Sequence, residues 1–301
     1  MNYKKVFSNL YLIDLDQKMT GFRKFISAWL YIENESTFLV DPGPKYSIET
    51  LIKALKEIGI DKLDYVLLTH IHIDHAGGTG RLLEEYPMAK VICHPKGIKH
   101  MINPEKLWKG SLKVLGKIAE SYEEIIPIPA EKISFQEQIP MGNSKIDVID
   151  TPGHAAHHLS YHFNEYLFAG EVAGLNQSLP NRIYTRPATP PVFELDISLS
   201  SIDKVIALNP QIICYGHYGF RQDADTALKT AREQFILWTE IVKEQLQQGD
   251  DNLRDRVFEQ LKIRDKIFAN IQYQDDDIKS REENFIINSV NGMKQYLEAL
   301  G

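Results

Sequence analysis

Two cysteines, Cys93 and Cys214, are all that the 301 residues contain, and each sits in an apolar, strand-like run. A disulfide framework or a thiolate-built metal site is therefore disfavoured. Both are expected to be reduced, buried small hydrophobes in a cytoplasmic protein. No apolar run approaches the roughly 20 residues of a membrane span, and Met1 to Leu10 lacks a secretory hydrophobic region. Positive charge is also in deficit. The formal net charge is −7, and no Lys/Arg cluster offsets it, which argues against a nucleic-acid partner. What remains is a soluble globular chain, long enough for one large domain or two ordinary ones, and the partner expected is a small-molecule substrate rather than nucleic acid or membrane.

Against these absences stands one dense stretch, Asp64 to Gly78. Val66, Leu67 and Leu68 read as a buried strand. It runs directly into His70-x-His72-x-Asp74-His75, four coordinating side chains within six residues. In open α/β sheets ligands bind where the chain leaves the sheet at strand C-termini. Imidazole with carboxylate suits zinc, iron or manganese. Gly77 and Gly78 let the backbone turn behind these residues.

Around this stretch the pattern is layered. Leu10 to Leu15 reads as a strand, and Ala28–Glu33 and Thr37–Val40 as a hairpin. The second ends in Asp41-Pro42-Gly43-Pro44. Asp41 is either a plain turn former or a carboxylate that accepts a hydrogen bond from a ligand histidine. Ser47 is placed to cap a helix through Ile58. A helix from about Gly78 to Tyr86 and a strand from Lys90 to Cys93 follow, so strands alternate with helices, as in an α/β layered domain. His94 and His100 open a segment of different character, in which they serve either substrate contact or structure. Asn103 and Pro104 begin a helix to about Glu120. It bears an apolar face (Leu107, Trp108, Leu112, Leu115, Ile118) and is expected to pack over the site mouth as a specificity element.

Later strands repeat the theme. Lys145–Ile149 leads to His154, Tyr166–Ala169 to Glu171, and Gln211–Tyr215 to His217, each beside a glycine. A lone residue of this kind would be read as a satisfied core or surface group. Repetition at strand ends points to one shared site. His158 is expected to orient a ligand or contact substrate. Tyr184 and Arg186, read as lying in a Pro-rich loop, are weaker substrate contacts.

The His-x-His-x-Asp-His stretch resembles the signature of the metallo-β-lactamase superfamily, and these segments match its pattern in order from about residue 10 to residue 220. Further likeness to an uncharacterised hydrolase-like branch covers His94–Trp108, Thr151–Ser160 and Pro190–Phe193. The resemblance implies an α/β fold, a four-layer αβ/βα sandwich of two mixed β-sheets with a C-terminal helical extension. The division expected is a catalytic domain over 1–220 and helices packed on it over 221–301. The resemblance also implies two divalent ions, zinc first, with iron or manganese as the other options. One would be held by His70, His72 and His154, the other by Asp74, His75 and His217. Asp74 is expected to be catalytic as well as ligating. Glu171 falls at the bridging position, where the family usually has aspartate. A similar Asp-x-Gly in the family favours the hydrogen-bonding role for Asp41.

The activity implied is hydrolysis, a metal-bound hydroxide attacking an ester, lactone or thioester carbonyl. A glyoxalase II-type thioesterase is the sharper form, weakened by the lack of basic residues over Gly170–Asn181. Alternatives are a non-catalytic metal-binding or regulatory protein retaining the fold, and a phosphodiesterase. After Phe220 come three helices: Ala224 to Leu246, Leu253 to Ile271, and Ser280 to Leu300. They carry no evident chemistry and could pack on the core, cover the mouth or form a homodimer surface.

Overall fold

The computed structural model describes residues 1–300. Its first half runs β1 (Tyr3–Lys5), β2 (Leu10–Asp14), β3 (Ser27–Glu33), β4 (Ser36–Val40), α1 (Ile48–Ile58), β5 (Tyr65–Leu67), α2 (Ile73–Ala76), α3 (Thr79–Glu85) and β6 (Lys90–Ile92). Then come α4 (Pro95–Ile102), α5 (Glu105–Leu115), α6 (Lys117–Tyr122) and β7 (Ile133–Ser134). The second half holds β8 (Gln138–Met141), β9 (Ser144–Asp150), β10 (Leu159–Phe163), β11 (Tyr166–Gly170), β12 (Leu175–Leu179), β13 (Arg182–Arg186), α7 (Leu195–Ala207), β14 (Ile212–Tyr215) and β15 (Phe220–Arg221). Helices α8 (Ala224–Leu246), α9 (Leu253–Arg264) and α10 (Asp276–Leu300) close the chain.

Strands β1 to β7 form one sheet in sequence order, and a six-stranded sheet follows the order β15-β14-β11-β10-β9-β8. Both are mixed. In the first, β4, β5 and β6 run parallel after an antiparallel meander. In the second, only β11 and β14 pair in parallel. Side-chain alternation along each strand explains the layering. Trp29, Tyr31, Phe38, Val40, Tyr161, Phe163, Phe168 and Cys214 meet between the sheets. Their neighbours Ala28, Leu30 and Leu39 face α1, α3, α4 and α6. On the other side Leu167, Ala169, Ile213 and Tyr215 face α7 to α10. The result is the expected four-layer αβ/βα sandwich. Each large side chain fully buried between these layers contributes about 1.5–3 kcal/mol. Cys93 and Cys214 are buried and free. Among the described residues no helix is long and apolar enough to cross a membrane.

Several expected boundaries change. Ser47 does not cap α1 with its side chain; it lies in a 3-10 turn and its hydroxyl donates to Pro44 O. The helix expected to reach Glu120 breaks at Gly116, whose φ of 54° has no place in an α-helix. The second C-terminal helix stops at Arg264 because Asp265 turns to accept from Ile267 N and Phe268 N. The segment with Tyr184 and Arg186 is a strand, β13, and not a loop.

Candidate metal centre

Every strand that was expected to deliver a metal-competent side chain brings it to one edge of the sandwich. β5 leads to His70, the loop after it to His72, and α2 to Asp74 and His75. Residues beyond β9, β11 and β14 supply His154, Glu171 and His217. His70, His72, His154 and Glu171 have donor atoms within 4.8 Å of one another, and so have Asp74, His75 and His217. Glu171 stands between the two sets. Its Oε2 is 2.7 Å from His154 Nε2 and 3.5 Å from His70 Nε2, while its Oε1 is 3.0 Å from His217 Nε2. The longer glutamate arm thus reaches both sets.

Four rings are held from behind. His154 Nδ1 is 3.0 Å from Ala188 O, and His217 Nδ1 is 3.2 Å from Phe25 O. His70 and His75 share one anchor. Thr69 Oγ1 donates to Asp41 Oδ2 (2.6 Å) and so accepts from His70 Nδ1 (3.0 Å). The same Asp41 Oδ2 accepts from His75 Nδ1 (3.0 Å). One buried carboxylate therefore orients an imidazole in each set. This is the hydrogen-bonding role expected of Asp41. Fixing Nδ1–H leaves Nε2 as the free donor aimed inward. His72 differs, presenting Nδ1 3.0 Å from His154 Nε2.

The backbone around Glu171 is close-packed. A register shift between Phe168 and Gly170 in the β11–β14 ladder re-aims the chain as it leaves the sheet. Gly170 has φ +55°, and a side chain there would strike His158 and Thr69. Gly216 N donates to Gly170 O at 2.9 Å, and a Cβ on Gly216 would lie 2.9 Å from Gly170 Cα. His158 is fully buried; its Nδ1 is 2.9 Å from Thr151 Oγ1 and its Nε2 accepts from Glu171 N. It positions Glu171 and does not touch the cavity.

Burial opposes charge on His70, His72, His75 and His154. For His70 and His72, burial and neighbouring imidazoles hold the pKa well below the usual value. For His75, Asp74, Asp41 and Glu171 outweigh burial and raise it to about 9. Glu171 is held far below the ordinary carboxylate range, because His154 and His217 outweigh its burial. The residues fit a divalent cation: His70 Nε2 and His75 Nε2 are buried without any hydrogen-bond partner, which is the arrangement a metal satisfies and a protein interior otherwise avoids.

Other expected residues fall elsewhere. His94 caps α4, accepting from Lys96 N, and lies 3.5 Å from Asp150. His100 is on α4, and neither lines the cavity over the centre. Tyr184 is fully buried and donates to Glu282, so it makes no substrate contact. Arg186 does line the cavity, with Nε bonded to Glu282. Thr69, His157 and the α10 residues were not foreseen. His157 flanks the centre, 5.8 Å from the His72 ring, with Nδ1 unpartnered. Its place among three histidines within five residues, His154 to His158, was the only signal available.

A family described as the metallo-beta-lactamase superfamily matches residues 21–217. A metallo-beta-lactamase fold-containing protein of Sulfurisphaera tokodaii is 31% identical over 206 residues, covering 66% of this chain and 74% of that protein. A hydroxyacylglutathione hydrolase of Stenotrophomonas maltophilia is 27% identical over 144 residues, 48% of this chain and 44% of its own. The crystal structure of an archaeal metallo-beta-lactamase superfamily protein from Sulfolobus tokodaii superposes with a TM-score of 0.68 at 23% identity, covering 94% of this chain and 98% of that one.

Proposed function

Since this chain belongs to the metallo-beta-lactamase superfamily, we propose that it is a metal-dependent hydrolase acting on an ester, lactone or thioester. Support comes chiefly from Glu171, whose two carboxylate oxygens reach into both donor sets. We assign one divalent ion to His70, His72 and His154, a second to Asp74, His75 and His217, and Glu171 to both. Zinc suits this set of imidazoles and carboxylates, with iron or manganese as the other candidates. Bound there, such ions supply Lewis acidity and lower the pKa of water toward neutrality.

The chain's own residues do the rest. Asp41, Thr69, Ala188 O and Phe25 O keep the ligand rings in one tautomer and orientation. His158 holds the Glu171 backbone. Asp74, which lines the cavity, stands where a substrate would meet the centre, in keeping with a catalytic role. Hydroxyacylglutathione hydrolase relatives make a thioester one candidate, although Lys106 and Arg186 are the only cations among the cavity-lining residues described.

Elemental analysis of protein purified without added metal tests the site, and turnover of an ester, lactone and thioester panel tests the activity. About two ions per chain and turnover abolished by His72→Ala are expected. Full metal loading with no turnover on any of the three classes would refute the hydrolase reading.

A further inference from the structure

The cavity over the centre measures about 380 Å³, and its lining is mostly carbon. Its floor is the centre itself, through His72, Asp74, His154, Glu171 and His217. Above the floor the walls come from two helices distant in sequence. Leu107, Gly110 and Val114 of α5 form one, and Phe285 of α10 faces them. No residue of α5 is fully buried, and Val114 remains 73% exposed. This helix therefore rests a stripe on the core (Trp108, Leu112) and leaves apolar side chains open toward the cavity.

Gly110 lies on the cavity side of α5. It sits inside α5, where glycine costs about 1 kcal/mol relative to alanine. A Cβ built there meets nothing within 4 Å, so no packing demand of the fold accounts for its small size. Gly110 is exposed and lines the cavity, so the open room above it adjoins the cavity mouth. Arg186 marks the other, polar end. Glu282 takes its Nε and Pro187 O its Nη1, leaving Nη2 outside both contacts. It is also close enough to Glu171 to feel its charge.

We infer that the cavity receives the apolar acyl chain of the substrate, with the carboxyl head at the centre beside Arg186 and the chain running along α5 past Gly110. The substrate class is then acyl esters or thioesters longer than acetyl. This rests on the hydrolase reading above. Continuity of the apolar walls with the metal-ligand floor favours a substrate chain as the occupant, since anything seated there lies against the reacting centre.

The test pairs turnover with binding. Hydrolysis of p-nitrophenyl acetate, butyrate, hexanoate and octanoate is measured on the metal-loaded protein. In parallel, the four free carboxylates displace a fluorescent fatty acid from the same protein. Both kcat/KM and affinity should rise about fourfold per buried methylene until the cavity is full. Gly110→Phe, whose new side chain enters open space, should lower the octanoyl-to-acetyl ratio about tenfold or more in both assays, and Gly110→Ala should fall between. A flat chain-length profile, or a ratio untouched by Gly110→Phe, would overturn the assignment and leave the hydrolase reading standing. Chain-length-dependent binding without turnover of any ester, lactone or thioester would support the cavity and sink the hydrolase reading.

Discussion

Replacing Asp41 with asparagine should loosen metal in both halves of the centre at once. Asp41 is 2% exposed and accepts from Thr69 N (2.8 Å), Thr69 Oγ1 (2.6 Å) and His75 Nδ1 (3.0 Å). An amide offers one oxygen and turns an NH₂ group toward a donor. At least one buried donor then lacks a partner, at about 1–3 kcal/mol. Losing the group behind a ligand histidine lowers metal affinity about 10–100-fold, which converts to about 1.4–2.7 kcal/mol. The two routes agree, so the metal Kd should rise by about 10–100-fold. Thr69→Val cuts only the branch to His70 and should do less. Titration against a coloured zinc chelator measures both. An Asp41→Asn protein that still holds two ions with parental affinity would refute this account of how the rings are fixed.

Glu282 lies fully buried against Arg186, Arg281 and Tyr184. Glu282→Gln strands two guanidinium groups and should cost roughly 3–5 kcal/mol, read as a large fall in Tm. Although burial disfavours its charge, Arg186 and Arg281 lower the Glu282 pKa from 4.5 to about 2. A depressed carboxylate stabilises above its unfolded pKa, and that contribution fades as pH drops from about 4.5 to about 2. Over this window the wild type should lose stability more steeply than Glu282→Gln; parallel acid limbs would contradict it. Gly216→Ala should force β14 away from Gly170 at about 1–3 kcal/mol, lowering Tm and weakening metal binding together, whereas an unchanged metal affinity would show that the contact does not set the ligand spacing. Chelation should lower Tm, and zinc should restore it, because an ion bound to the folded state alone stabilises by mass action. A melting curve indifferent to chelator would speak against a resident ion.

That these histidines and carboxylates would meet at one place was legible because the signal is local. His70, His154, Glu171 and His217 each come shortly after a strand-like run and sit beside a turn, with His72, Asp74 and His75 close behind His70, so strand ends could be read without knowing the sheet order. The place of Asp41 at a strand end was legible for the same reason, but its hydrogen-bonding role was favoured only by the family resemblance. The cavity was not legible. Its walls join α5 to Phe285, a contact that only the packing of α10 creates, and the C-terminal helices showed nothing but amphipathic spacing. β12 and β13 were missed because Asn176, Gln177, Arg182 and Thr185 read as polar loop residues. In the fold Thr185 instead bonds to Gln234 of α8. The break at Gly116 interrupts no apolar spacing, so the pattern alone ran two helices together.

The contact of Gly170 with Gly216 has a consequence for descent. The strands carrying Glu171 and His217 are spaced by bare backbone, so the reach between the two halves of the centre does not depend on which side chains surround it. One of the two walls that we assign to substrate selection sits instead on α5, a helix with no buried residue. Mutation can reshape that wall while the reacting groups keep their separation. A lineage built this way can exchange one diet for another without rebuilding its chemistry.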